Sequence, residues 1–201
     1  MRGTELVLVS DRQRLAVGRS LPMVAAHAAR AGVDWIQVRE KDLAARDLFD
    51  LVREVVQAVE GTLTRVLVSG RSDIAEAAGA HGVQLPEQGL PVAHVKRVFP
   101  RLLVSASRHS LEGARRAQDD GADLLVVGPV FATPGKPVAL GAAGLAEIVG
   151  ALSVPVYAIG GIEPSVARRV VEAGATGLAA IRAFLVDPVE DAVHAFREAV
   201  R

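Results

Sequence analysis

A (β/α)8 barrel, of the TIM type, is the α/β fold that the sequence predicts, and three observations predict it. Eight short apolar runs alternate with eight helical patterns along the chain. Four of these units share one form, in which an Ala/Gly-rich helix end turns at a glycine into a strand: Ala31–Val38, Gly79–Leu85, Asp120–Gly128 and Ala173–Ile181. Glycine suits that turn because it accepts φ > 0 without a Cβ penalty. The apolar runs also alternate poorly, as parallel strands covered on both faces do. A chain of 201 residues lies at the short end of the range for this fold. A doubly wound open sheet is the main rival. The regular units, and the lack of a GxGxxG after the first strand, disfavour it.

The elements follow in order. The first strand, Leu6–Ser10, is an apolar run entered directly from the N-terminal MRGTE, and the helical pattern Pro22–Ala31 opens on a proline whose missing N–H costs nothing there. Trp35–Arg39 leads to the helix Ala45–Val59, and Arg65–Ser69 to the helix Ser72–Gly79, closed by its glycine. Gly82–Leu85 precedes Pro91–Phe99, again opened by proline, and Leu102–Ala106 precedes Leu111–Asp120. The last three units are Leu124–Gly128 with Ala143–Ala151, Val156–Ile159 with the proline-led Pro164–Ala173, and Gly177–Ile181 with Val189–Val200. No linker, low-complexity run or charge block divides them, so residues 1–201 read as a single domain.

Composition removes several function classes. Half the residues are apolar, enough for a substantial core, while 23 Lys and Arg balance 23 Asp and Glu. That balance argues against a broad basic face for nucleic acid. Aromatics at 3% are too few for a base-stacking platform. There is no cysteine, which excludes disulfides, Cys-based zinc sites and a thiolate nucleophile. The N-terminus has no apolar h-region and no stretch approaches eighteen apolar residues. The expectation is a cytoplasmic protein with a small-molecule ligand, no nucleic-acid partner and no membrane. A homo-oligomer is compatible with the sequence.

In a barrel of this kind chemistry sits at the C-terminal ends of the strands. After the second strand stands Gln37-Val38-Arg39-Glu40-Lys41-Asp42. Gln37 and Arg39 share one face of a strand, and a guanidinium there suits phosphate or carboxylate. The competing reading is a solvated charged loop that pairs with itself. After the sixth strand, Gly128–Lys136 forms a long loop with Thr133 and with Lys136 as a point charge able to close over an anion. Gly160 and Gly161 follow the seventh strand, and Ile181-Arg182 the eighth. Both precede helical stretches, where backbone N–H groups cradle phosphate. Five histidines occur with no HExxH or close pair, so a histidine metal site is not expected. His109, at a strand-to-helix junction, is the candidate proton-transfer group. A helix-start residue bonding its own backbone is the alternative.

Taken together, these segments resemble the superfamily of thiamine phosphate synthase and its TenI-like relative, thiazole tautomerase. The matching pieces are Trp35–Asp42, Gly79–Leu85, Ser107–Ser110, Gly121–Asp123, Gly128–Lys136 and Ala158–Ile162, in the family order over most of the chain. The resemblance implies a barrel that binds a thiazole phosphate. It places the phosphate near Gly160 and Gly161, and anionic groups near Arg39, Lys41 and Lys136. Departures accompany the matches. The synthase pattern Asn-Asp-Arg after the third strand is Ser69-Gly70-Arg71 here. The aspartate expected after the fourth strand falls on Gly89. Both family magnesium ligands are thus glycines, and Glu87 is the nearby carboxylate. Pro129 stands where the tautomerase has a histidine, and Arg182 where the synthase has a serine.

Three functions follow as expectations. The first is a metal-independent thiazole tautomerase, an isomerase with no cofactor, with His109 or Glu87 as acid/base. The second is a magnesium-dependent thiamine phosphate synthase. The third is a non-catalytic binder of thiazole phosphate.

Overall fold

The computed structural model describes residues 3–133, 135 and 138–201. Lys136 therefore lies outside the described residues. Eight strands alternate with eight α-helices: β1 (Glu5–Val9), α1 (Leu21–Ala31), β2 (Trp35–Val38), α2 (Ala45–Ala58), β3 (Arg65–Ser69), α3 (Ser72–Ala77), β4 (Gly82–Leu85), α4 (Val92–Val98), β5 (Leu103–Arg108), α5 (Leu111–Asp119), β6 (Leu124–Val127), α6 (Gly141–Gly150), β7 (Val156–Ile159), α7 (Pro164–Glu172), β8 (Gly177–Ala180) and α8 (Val189–Ala199). All neighbouring strands are parallel, and β8 pairs back onto β1 to close the barrel. Among the described residues no helix is long and apolar enough to cross a membrane.

The two-residue period of each strand divides its side chains between two cores. Leu6 and Leu8 of β1 point outward into the layer shared with the helices, while Val7 and Val9 point into the barrel. Both sets are buried, which is why the sequence shows apolar runs and no alternation. The outer layer is sealed by helix residues such as Val52, Val55, Leu145, Val170 and Phe196. The four repeated helix ends turn as the glycines require, with φ of 100° at Gly32, 74° at Gly79, 91° at Gly121 and 90° at Gly174.

A polar plug closes the N-terminal end of the interior. The Trp35 indole and the Tyr157 hydroxyl both donate to Glu5 Oε2, at 2.5 and 2.6 Å. Burial, and then the bond to Glu5, push the Tyr157 hydroxyl well above the usual tyrosine range. Gly177 leaves room for this ring, since a Cβ there would meet Tyr157 Cδ1 at 2.3 Å.

Two features at the C-terminal side of the barrel depart from the expected elements. β5 continues past Ala106 to Arg108, because Ser107 and Arg108 pair with Val126 and Val127 of β6. Their polarity hides a ladder that backbone bonds alone sustain. A 3-10 turn at Arg12–Arg14 also follows β1, where the sequence showed no helical pattern.

Candidate active site

The C-terminal mouth of the barrel opens into a cavity of about 780 Å³. Its floor is set by the inward register of each strand and is divided in two. Gln37, Ser69, Gln84 and Ser107, from β2 to β5, make one polar half, and Val9, Val126, Ile159 and Ala179, from β1 and β6 to β8, make an apolar half. The polar half is internally bonded. Gln37 Nε2 donates to Ser69 Oγ at 2.7 Å, and Gln84 Nε2 to Ser107 Oγ at 2.9 Å. Beneath them the fully buried Ser105 hydroxyl donates to Gln84 Oε1. Gln84→Ala is expected to lower stability by about 1–3 kcal/mol, because it strands the buried Ser105 hydroxyl without its partner. Urea unfolding measures this, and an unchanged midpoint would show that water replaces the amide. Ser69, Gln84 and Ser107 were not among the sequence candidates. The available signal was a single glutamine inside the apolar run Gly-Val-Gln-Leu, as in Trp-Ile-Gln-Val.

Gln37, Arg39, Lys41, Glu87, His109, Thr133, Gly160, Gly161, Ile181 and Arg182 all line this cavity. Arg71, Arg14 and Glu163 join them without having been singled out in the sequence. His27 does not: it sits on α1 with its ring Nδ1 at 2.5 Å from Glu190 of α8.

The loop after β2 does not pair with itself. Glu40 is buried, at 5% exposure, and accepts from Ser10 Oγ at 2.5 Å, from the Arg12 N–H at 3.0 Å and from Arg12 Nη1 at 3.3 Å. Asp42 accepts both Nη groups of Arg12, at 2.8 and 2.7 Å. The bonds from Arg12 hold the Asp42 carboxyl at about 2, so the pair stays ionised at any pH well above that. Both acids thus face the loop after β1.

His109 is half-exposed at the end of β5. Its Nδ1 lies against the carbonyl of Gly128, across the β5–β6 junction and remote from its own helix start. A carbonyl only accepts, so Nδ1 carries a proton, and Nε2 is the ring nitrogen left to face the cavity. Glu87 Oε2 lies 4.0 Å from that Nε2. The two candidate acid/base groups are therefore neighbours.

Glycines after β7 serve packing and ligand access together. A Cβ on Gly160 would lie 2.6 Å from Pro129 Cα, and one on Gly161 2.7 Å from Phe131 Cβ. The loop after β6 rests directly on them, with the Val130 and Phe131 N–H groups donating to Ile159 and Gly160 carbonyls at 2.9 Å. Among the described residues, no backbone carbonyl accepts from the N–H groups of Gly160, Gly161, Ile181, Arg182 or Ala183. These form one run of free donors across the β7 and β8 loops.

Magnesium does not fit the residues present. Gly70 has φ +68°, a conformation that a side chain strains. A Cβ on Gly89 would lie 2.8 Å from Pro86 Cδ, inside a tight turn in which the Gly89 N–H donates to the Pro86 carbonyl at 2.9 Å. A magnesium ion is usually held by one or two carboxylates together with substrate phosphates, and neither family position supplies a carboxylate here.

The family model described as thiamine monophosphate synthase matches residues 6–184. Thiamine-phosphate synthase of Methanoculleus marisnigri is 39% identical over 185 residues, covering 90% of this chain and 87% of that protein. Thiamine-phosphate synthase of Roseiflexus sp. is 36% identical over 194 residues, covering 94% and 82%. The structure of thiamine phosphate pyrophosphorylase from Pyrococcus furiosus superposes with a TM-score of 0.90 at 32% identity, covering 98% of this chain and 95% of that one. This chain belongs to the thiamine monophosphate synthase family.

Proposed function

We propose that the chain is a thiamine-biosynthesis enzyme that joins a pyrimidine diphosphate to a thiazole phosphate. One observation carries the reading: the cavity has two separate groups of donors suited to anions. Side-chain cations Arg39 and Lys41 stand after β2, with Arg71 after β3 already bonded to Asp73, and the free N–H groups stand after β7 and β8. A phosphate monoester suits the N–H run, where the 3-10 turn Arg182–Phe184 and α7 begin. A leaving diphosphate suits the cations, which neutralise charge as the carbon–oxygen bond breaks and the thiazole nitrogen attacks. The names of the relatives support this transfer reaction. Tautomerisation, placed first by the sequence, finds no such support from them.

Tautomerisation of a thiazole phosphate stays as the second reading on a specific observation. The family's metal positions are glycines, which offer no side-chain oxygen, and His109 lines the cavity with its Nε2 4.0 Å from Glu87. One experiment separates the readings. Purified protein, once with EDTA and once with added magnesium, is given both substrates and assayed for thiamine phosphate, then given the carboxy-thiazole tautomer alone. Thiamine phosphate formed in either condition supports the transfer reading. Turnover of the tautomer alone favours the second. Phosphate-monoester binding with neither turnover would leave a binding protein. In a complex, the phosphoryl group is expected on Gly160, Gly161 and Ile181–Ala183, and density elsewhere overturns that placement.

A further inference from the structure

The segment Arg39-Glu40-Lys41-Asp42 alternates basic and acidic residues within one loop. Charges so close normally neutralise one another, and a loop that did so would offer an anion nothing. Here the alternation is resolved by direction. Arg39 and Lys41 line the cavity; Glu40 also borders it, but its buried carboxylate is taken up by Ser10 and Arg12 from the loop after β1, and Asp42 by Arg12 and Gln13. Among the described residues no carboxylate pairs with Arg39 or Lys41. Ser10 completes the arrangement. Its hydroxyl donates to Glu40 Oε1 and accepts from the Arg39 N–H at 2.9 Å, which fixes the backbone from which the Arg39 side chain leaves.

We propose that Arg12 is a positioning residue that sequesters Glu40 and Asp42 and thereby keeps Arg39 and Lys41 available to the anionic substrate. It touches the acids and acts on the ligand only through them. This rests on the reading that Arg39 and Lys41 receive a diphosphate. A fork of donors suits the task, because both Nη groups bond Asp42 while Nη1 also reaches Glu40, a bidentate geometry that a lysine point charge lacks. Without Arg12, Glu40 keeps its bond from Ser10. The exposed Asp42 keeps only the Gln13 amide, at 3.1 Å, and its charge beside Lys41 in the sequence is no longer offset by Arg12.

The test is a charge-rescue series read by calorimetric titration with inorganic diphosphate. Arg12→Ala is expected to weaken binding about tenfold, and Arg12→Ala with Asp42→Asn to recover most of it. A residue with a merely structural role, or one acting by net charge at a distance, would give no such rescue beyond the single charge that Asp42→Asn contributes. Asp42→Asn alone measures that contribution. Unchanged affinity in Arg12→Ala overturns the proposal, as does a double variant that improves no more than Asp42→Asn does alone. A crystal structure of Arg12→Ala gives a readout independent of any ligand. Asp42 turned onto Arg39 or Lys41 supports sequestration, and Asp42 left facing solvent overturns it. Wild-type protein that binds no diphosphate, in a crystal series that still shows Asp42 turned inward, would instead defeat the substrate reading.

Discussion

Gly160→Ala is expected to lower stability by roughly 2–5 kcal/mol and to weaken inorganic phosphate binding at least tenfold. Two physical terms add. The backbone at Gly160 has φ +96°, where a Cβ is strained by about 1–2 kcal/mol. The new Cβ would also stand 2.6 Å from both Cα and Cβ of Pro129, so the loop after β6 has to move. Overpacking of that kind adds about 1–3 kcal/mol. The same shift disturbs the N–H groups assigned to the phosphate. Gly61→Ala separates the terms, because Gly61 has φ +78° with nothing within 4 Å of its Cβ position. It should show the backbone term alone and bind phosphate normally. Urea unfolding and phosphate titration of the two variants decide the matter. A Gly160→Ala protein with wild-type phosphate affinity would move the anion site off the β7 loop.

His109→Asn is expected to reduce proton transfer on a bound thiazole phosphate by about 10²-fold or more, with thiazole phosphate affinity nearly unchanged. Asparagine can still donate from its amide to the Gly128 carbonyl, as Nδ1 of His109 does. What it lacks is Nε2, the atom 4.0 Å from Glu87. The substitution thus removes the acid/base and spares the loop contact. Joining the two substrates needs only the thiazole nitrogen lone pair, so that reaction should respond much less. Tautomer turnover and thiamine phosphate formation, measured on the same folded variant, give the comparison. Wild-type tautomer turnover in His109→Asn would move proton transfer to Glu87 or to water.

Much of this molecule was legible from local pattern. Strands covered on both faces must be apolar throughout, so β1 to β8 stood out as short runs such as Leu-Val-Leu-Val and Leu-Leu-Val-Val. Helix ends that turn back into a parallel strand need a left-handed residue, so Gly32, Gly79, Gly121 and Gly174 marked four of the junctions. Barrel topology then places chemistry at the strand ends, which is why Gln37, Arg39, Glu87, His109 and Gly160 could be named as neighbours although they lie far apart along the chain.

What only the tertiary structure decided concerns direction and partners. The alternating charges Arg39 to Asp42 read equally well as a self-neutralised loop. Their separation depends on Arg12, a residue 27 positions before Arg39 whose guanidinium has no local signature. Ser69, Gln84 and Ser107 became a cavity floor only when inward register on three strands brought them together. The orientation of the His109 ring follows from the contact of Nδ1 with a carbonyl 19 residues away, on the next strand's end. In each case the deciding contact joins neighbouring strands or the loops that follow them. Apolar periodicity and turn residues report what a segment does to its own backbone, and these long-range bonds leave no trace in either.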